Sequence, residues 1–324
     1  LHALRSQGEL YRRLGQWQPL AKTLQRAVEV ARSPEDRRAA HVQLGEVYEK
    51  SLKQPAQAVE QFHSALAIDA TDGAALAALA RVHAAAEDWP ALVEVLRRHV
   101  ASVTDPAEAA ELRMRVGSVL EDRIGDLEGA AAEYATVLSA DPTNLAAMRG
   151  LEGIYARLGR SQELLAVLEQ QLEVVSTERE RIKLLTRIGE MLEEEFVRPA
   201  LAIERFERVL EIDPSHDPSL RALERLYRQT GQWNELIATL ERHLTATGER
   251  RDRVPVFLQM GRVYADEKRD LEHAEDAFLN VLQIDAESVD ALDALSRIYE
   301  SRSDWHRATD MLEQLAQFVA ADPG

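Results

Sequence analysis

The chain contains no cysteine. That removes disulfides, thiolate metal sites and cysteine nucleophiles, and it fits a reducing cytosol and an oxidising periplasm alike. Lysine is nearly as scarce, with only Lys22, Lys50, Lys53, Lys183 and Lys268 among 39 basic residues. Arginine therefore carries the positive charge, and 56 acidic residues outweigh it to give a formal net charge of −17. Such a balance argues against nucleic acid, whose phosphates demand clustered Lys and Arg, and against an anionic membrane surface. No apolar run approaches the roughly 18 residues that a bilayer span needs, and the N-terminus carries no signal-peptide pattern. The sequence gives no address beyond slightly favouring the cytoplasm over the periplasm.

Chemistry-bearing motifs are missing as well. There is no Gly-rich phosphate loop, no His-Glu-x-x-His, no Gly-x-Ser-x-Gly and no EF-hand acid ladder. The nine histidines are scattered in phase and place. His83 stands at a mark that Tyr155, Tyr227 and Tyr299 occupy elsewhere, so it reads as an aromatic substitute rather than a metal ligand. Paired acids such as Glu193 and Glu194 read as solvated helix faces, because a general acid–base pair needs a buried pocket. Neither an enzyme, nor a cofactor, nor a metal site is expected.

What is present is repetition. Trp17, Trp89, Trp233 and Trp305 share one phase of a 72-residue period, with Ser161 on the vacant mark. Gly45, Gly117, Gly189 and Gly261 form a second row, Ala58, Ala130, Ala202 and Ala274 a third, and Asp69, Asp141, Asp213 and Asp285 a fourth. Phe62, Tyr134, Phe206 and Phe278 form an aromatic row. Every aromatic except Phe196, Phe257 and Phe318 sits on this grid, which marks the rings as packing elements rather than a cofactor box. A fixed period without insertions implies stacked supersecondary units, each burying its apolar face on its neighbours.

Within each unit the apolar spacing is helical, as in Leu44, Val47, Tyr48 and then Ala58, Val59, Phe62, Ala65, Leu66. Asp126 and Asp270 are placed to cap helix N-termini, and Pro55 and Pro199 to occupy the next position, where a missing N–H is harmless. Asp141-Pro142 and Asp213-Pro214 are expected to stop one helix and open the next. Four helices, hence two hairpins, follow for each unit. The first hairpin type carries Leu44, Gly45, Tyr48, Ala58, Phe62, Ala65 and Asp69; the second carries Leu79, Ala80, His83, Trp89, Leu92 and Leu96.

The spacing of leucine-glycine, an aromatic three later, alanine, aromatic, alanine and then Asp-Pro resembles the tetratricopeptide repeat (TPR), a helix–turn–helix of about 34 residues. The resemblance covers the whole chain and implies an all-α, right-handed α-solenoid of about nine TPR-like hairpins. Residues 1–35 form a lone second-type hairpin, and 36–107, 108–179, 180–251 and 252–324 form two-hairpin units. The first-type hairpin has one extra residue between Tyr48 and Ala58. In the second type the small residue is lost, with Glu152, Glu224 and Ser296 at the mark of Gly8 and Ala80. That hairpin is expected to pack more widely, with tryptophan filling the gap. Leu1, Leu4 and Leu10 at one end and Leu312, Leu315 and Phe318 at the other look like ordinary core positions, so the sequence reads as a piece of a longer array prone to end-to-end self-association.

In a TPR-like solenoid the first helix of each hairpin lines a concave groove. First-type hairpins place Glu46, Glu49, Glu121, Asp122, Glu190, Glu193, Glu194 and Asp266 there; second-type hairpins place Arg12, Arg13, Arg81, Arg149, Arg157, Arg221, Arg225, Arg228 and Arg297. These stripes either neutralise each other between repeats or also grip a partner segment through Arg forks. The candidate binding set is Arg149, Arg157, Glu190, Glu193, Glu194, Arg221, Arg225 and Arg228. The Lys and Asn clamp that some TPR proteins use for a terminal carboxylate is not matched, Lys183 being the lone groove lysine. The resemblance implies a non-catalytic scaffold or adaptor for a peptide or small protein, in the manner of bacterial TPR proteins of motility, polarity or envelope assembly. The alternatives are a docking or regulatory arm of an enzyme encoded beyond this sequence, and a helical-repeat RNA binder, which the charge disfavours.

Overall fold

The computed structural model describes residues 2–321, and every regular element among them is helical. The chain divides into two compact units, Leu1–Gln171 and Leu172–Gly324. The first contains α1 (His2–Arg13), α2 (Trp17–Val30), α3 (Pro34–Glu46), α4 (Pro55–Ile68), α5 (Gly73–Ala85), α6 (Trp89–Ser102), α7 (Pro106–Val119), α8 (Leu127–Ala140), α9 (Leu145–Leu158) and most of α10 (Ser161–Val174). The second contains α11 (Glu178–Glu194), α12 (Pro199–Ile212), α13 (Asp217–Thr230), α14 (Trp233–Ala246), α15 (Arg253–Arg262), α16 (Leu271–Ile284), α17 (Val289–Ser301) and α18 (Trp305–Ala321). Successive helices pair into hairpins, and within each unit every hairpin stacks on the next, an all-α solenoid arrangement.

The glycine row explains how first-type hairpins close. A Cβ at Gly45 would come within 2.5 Å of the Phe62 ring, at Gly189 within 2.8 Å of Phe206, at Gly261 within 2.6 Å of Phe278, and at Gly117 closer still to Tyr134. Only a bare backbone admits the ring of the partner helix there. Ala58, Ala130, Ala202 and Ala274 are fully buried one turn before those rings. Tyr134 also reaches forward, its other edge lying against Gly150 of the following hairpin.

The extra residue of the first-type hairpin is absorbed by widening the helix. Val47–Ser51, Leu120–Ile124 and Val263–Lys268 continue α3, α7 and α15 as π-helical turns. Long-reach bonds close them, Gln54 N–H donating to Tyr48 C=O at 2.9 Å, Asp126 to Leu120 at 2.9 Å and Asp270 to Tyr264 at 2.8 Å. Arg198 donates to Leu192 at 2.7 Å in the fourth case. Lys53, Gly125, Val197 and Arg269 follow, all left-handed and all on one 72-residue mark.

The caps hold in part. Asp126 and Asp270 accept from the N–H of Gly129 and His273, and Pro55 and Pro199 open their helices. The aspartate row, Asp141-Pro142 and Asp213-Pro214 included, does not by contrast open the next helix. Asp69, Asp141, Asp213 and Asp285 end α4, α8, α12 and α16, accepting from the N–H two residues on, and the next helices are entered at Asp72, Asn144, His216 and Ser288.

Tryptophan does not fill a gap inside the second-type hairpin. It is the first residue of α2, α6, α14 and α18, only half-buried at Trp89 and Trp233, and 65% exposed at Trp305. α2, α6 and α14 each touch the π turn of the following hairpin, and at α6 the Arg123 guanidinium lies 5.0 Å over the Trp89 ring. Between the paired helices of this type stand polar contacts instead: Gln171 donates to Glu152 at 2.7 Å, and His243 meets Glu224 at 2.5 Å. Of the end positions, Leu10 and Leu312 are exposed, Leu4 and Leu315 half-buried; Leu1 and the Phe318 side chain lie outside the described residues.

Candidate functional site

The first helices of successive hairpins are joined by Arg–Glu clasps whose acid stands in the widened turn at Glu49 and Glu121 and at the C-terminal end of α11 at Glu193. In the first unit, Arg81 on α5 holds Glu49 with two bonds of 3.2 and 3.0 Å. The next clasp changes donor: Gly153 occupies the mark of Arg81, and Arg157, one turn later on α9, reaches Glu121 at 3.1 Å. Glu121 also accepts weakly from the Tyr134 hydroxyl at 3.3 Å. Burial, with the Glu121 charge adding to it, pushes that phenol up to about 12. Arg149 is exposed on α9 and has an electrostatic or hydrogen-bonding neighbour of its own.

In the second unit Arg225 on α13 forms the best fork, its Nε and Nη2 donating to the two oxygens of Glu193 at 2.7 and 2.8 Å. The hydrogen bond to Glu193 raises the Arg225 pKa above its ordinary value against partial burial, and the charges of Glu193, Glu194 and Glu190 add to it. So those three acids and Arg225 form one local set. Arg221 turns instead to Asp217 on its own helix at 2.9 Å, and the same carboxylate receives His243 Nε2 at 3.2 Å. Arg228 is exposed, has no ion-pair partner among the described residues, and lines a hollow beside Trp233. Arg149 and Arg157 belong to the first unit and the remaining candidates to the second.

A second set of clasps escaped the sequence reading. Glu133, only 8% exposed, is gripped by Arg97 and Arg113 at 2.9 Å each. Glu207 accepts from Tyr227 and Arg242 at 2.9 Å each, and Asp72, buried, pairs with Arg38 while capping α5. The visible signal was a carboxylate inside an apolar stripe, Glu133 standing between Ala130 and Tyr134. A buried acid in that place requires a paired base. Among the described residues no group of three or more His, Asp or Glu is placed to hold a metal ion, and no helix is long and apolar enough to cross a membrane.

The tetratricopeptide repeat pattern matches residues 3–38, 75–110, 147–182, 219–254 and 291–318. Each match begins on a second-type hairpin, so the recognised repeat is the one with the tryptophan mark, held by Ser161 in 147–182, rather than the glycine row. No curated protein matches the sequence. Solved structures with a similar fold include MamA, 16% identical over 63% of this chain and 95% of that one, with a TM-score of 0.36. The C-terminal part of a TPR repeat-containing protein from Cytophaga hutchinsonii is 17% identical over 78% and 99%, with a TM-score of 0.39. YrrB, a TPR protein with an unusual peptide-binding site, is 20% identical over 58% and 92%, with a TM-score of 0.37. The matched repeats recur at the chain's own 72-residue spacing and cover more than half of it, and on that ground the chain belongs to the tetratricopeptide repeat family, a family of protein-interaction scaffolds.

Proposed function

We propose that the chain is a non-catalytic adaptor that recruits a peptide or small protein to the face formed by its first helices. The observation that carries this reading is the state of the clasped arginines. Arg225 is fixed by a bidentate bond to a carboxylate that is only 13% exposed, yet its own side chain is 58% exposed. A guanidinium held in one orientation with spare donors facing water loses little freedom when it meets a second carboxylate. Arg157 over Glu121 and Arg81 over Glu49 repeat the arrangement.

The test compares stability with affinity on one variant, Arg225→Ala with Arg228→Ala. Truncating Arg225 leaves the largely buried Glu193 carboxylate without its fork and costs about 1 to 2 kcal/mol, while Arg228 has no ion pair among the described residues to lose. Binding of a partner isolated from the source cells is expected to weaken more than tenfold while the melting temperature falls by only a few degrees. Unaltered affinity would move the site off this patch.

A further inference from the structure

The last two-hairpin unit breaks the pattern of clasps. Ala265 stands at the mark of Glu49, Glu121 and Glu193, so the acid that should receive Arg297 is missing. Arg297 folds back onto Asp293 of its own helix at 2.9 Å. The charges around it are exchanged too. Arg262 on α15 replaces Glu46, Ser118 and Glu190, while on α17 Asp293 replaces Ala77, Arg149 and Arg221, and Asp290 replaces Ala74, Ala146 and Pro218. Arg262 bridges to Asp290 at 3.3 Å.

Where the clasp is absent, a hollow opens between α15 and α17, walled by Leu271, Phe278, Ala294 and Ile298. A second hollow lies on the other side of α15, walled by Trp233, Leu258 and Val263. Both are lined by Arg262, Asp266 and Asp290, so they form one track across α15 with apolar walls at each end. Arg262 and Arg297 are engaged by Asp290 and Asp293. Among the described residues, the groups lining the track that are left without an ion pair are the carboxylates of Asp266 and Glu267 and, on the far rim beside Trp233, the cation Arg228. The track is thus apolar at two points with excess negative charge between them.

Resting on the adaptor reading above, we propose that this track docks a protein segment carrying two apolar side chains with a lysine or arginine between them. The apolar residues enter the two hollows and the cation meets Asp266 and Glu267. Two buried apolar anchors supply affinity, and the unpaired carboxylates reject an acidic segment. This differs from the clasped part of the face, whose exposed groups are guanidinium forks suited to carboxylates.

Short random peptides displayed on phage are selected against the full chain, then synthesised with a fluorescent label and titrated by anisotropy. The expected consensus is apolar–basic–apolar. Ala265→Glu restores the residue that the other three units carry, closes the hollow on Arg297, and is expected to weaken binding more than tenfold without lowering the melting temperature. Asp266→Asn is expected to weaken binding and flatten its dependence on salt. If Ala265→Glu lowers the melting temperature, the salt titration of Asp266→Asn decides alone. Enriched peptides that are acidic, or that bind both variants as tightly as the parent, overturn the track while leaving the adaptor reading in place. Failure to enrich any peptide overturns both.

Discussion

Among the described residues five other than glycine hold a left-handed backbone: Lys53, Glu87, Val197, Arg269 and Ser303, where Gly125, Gly15, Gly159 and Gly231 hold the same marks elsewhere. Val197 is the most strained of them, because a β-branched side chain crowds its own carbonyl at φ 52°, and at 72% exposure it gains no packing in return. Val197→Gly is expected to stabilise the protein by about 1 kcal/mol, after the entropy that glycine adds to the unfolded chain, read as a higher urea midpoint. An unchanged midpoint would show that the turn relaxes around valine. The turn aspartates give a pH dependence of known sign. Hydrogen bonds from Thr71, Thr143 and Ser215 hold Asp69, Asp141 and Asp213 below the ordinary carboxylate range. A lowered folded-state pKa contributes stability that is complete above the ordinary value near pH 4 and is lost as the pH falls through the lowered one. The melting temperature is therefore expected to fall on acidification below about pH 4, and less steeply when all three are replaced by Asn, which keeps the turn but does not titrate.

At the scale of the element, the clasp and the helix that carries it are separable. Gly153 stands inside α9 at the mark of Arg81 and Arg225, and a Cβ there meets nothing within 4 Å. Gly153→Arg is expected to stabilise by about 1 to 2 kcal/mol, most of it helix propensity and the rest a second base for Glu121. Gly153→Ala isolates the first part, and an arginine no better than alanine would mean that Arg157 already satisfies the carboxylate. These clasps also mark the limit of what the sequence discloses. The helices and the hairpin order were legible, because a 72-residue period fixes phase, whereas the meeting of each glycine with the ring of its own hairpin was not. Depth was not: the tryptophan row has perfect phase, yet its rings begin helices at the rim of the hairpin. The extra residue after Tyr48 was countable, but its housing in a π turn depends on hydrogen bonds six residues apart. Partner choice was hidden for a similar reason, since Arg157 replaces a missing arginine from one turn away and Arg221 prefers its own helix.

For the molecule as a whole, stability in a stack of hairpins is close to a sum of unit terms and nearest-neighbour interfaces. Two deletions in the first unit test whether the repeating element is the pair of hairpins or the single one. Removing residues 37–108 joins Asp36 to Ala109, so the Ser33 cap and Pro34 lead directly into the rest of α7, and α2 meets a first-type helix as before. Every interface that remains is of a type the protein already makes, the new α2–α7 junction standing in for α2–α3 and α6–α7. Helicity per residue is expected to be kept, with a urea slope reduced in proportion to the surface lost. Removing 37–72 also keeps the helical phase but joins Asp36 to Gly73, so α2 meets α5 and two second-type hairpins become neighbours. That junction discards Gly45 and the Phe62 ring it admits, together with Asp72, which caps α5 and pairs with Arg38. The shorter deletion is therefore expected to be the more damaging, with a lower midpoint and lost helicity by circular dichroism, although it removes half as much chain. Equal stability for the two would mean that the hairpin types are interchangeable at their interfaces, and that the 72-residue period records descent rather than packing.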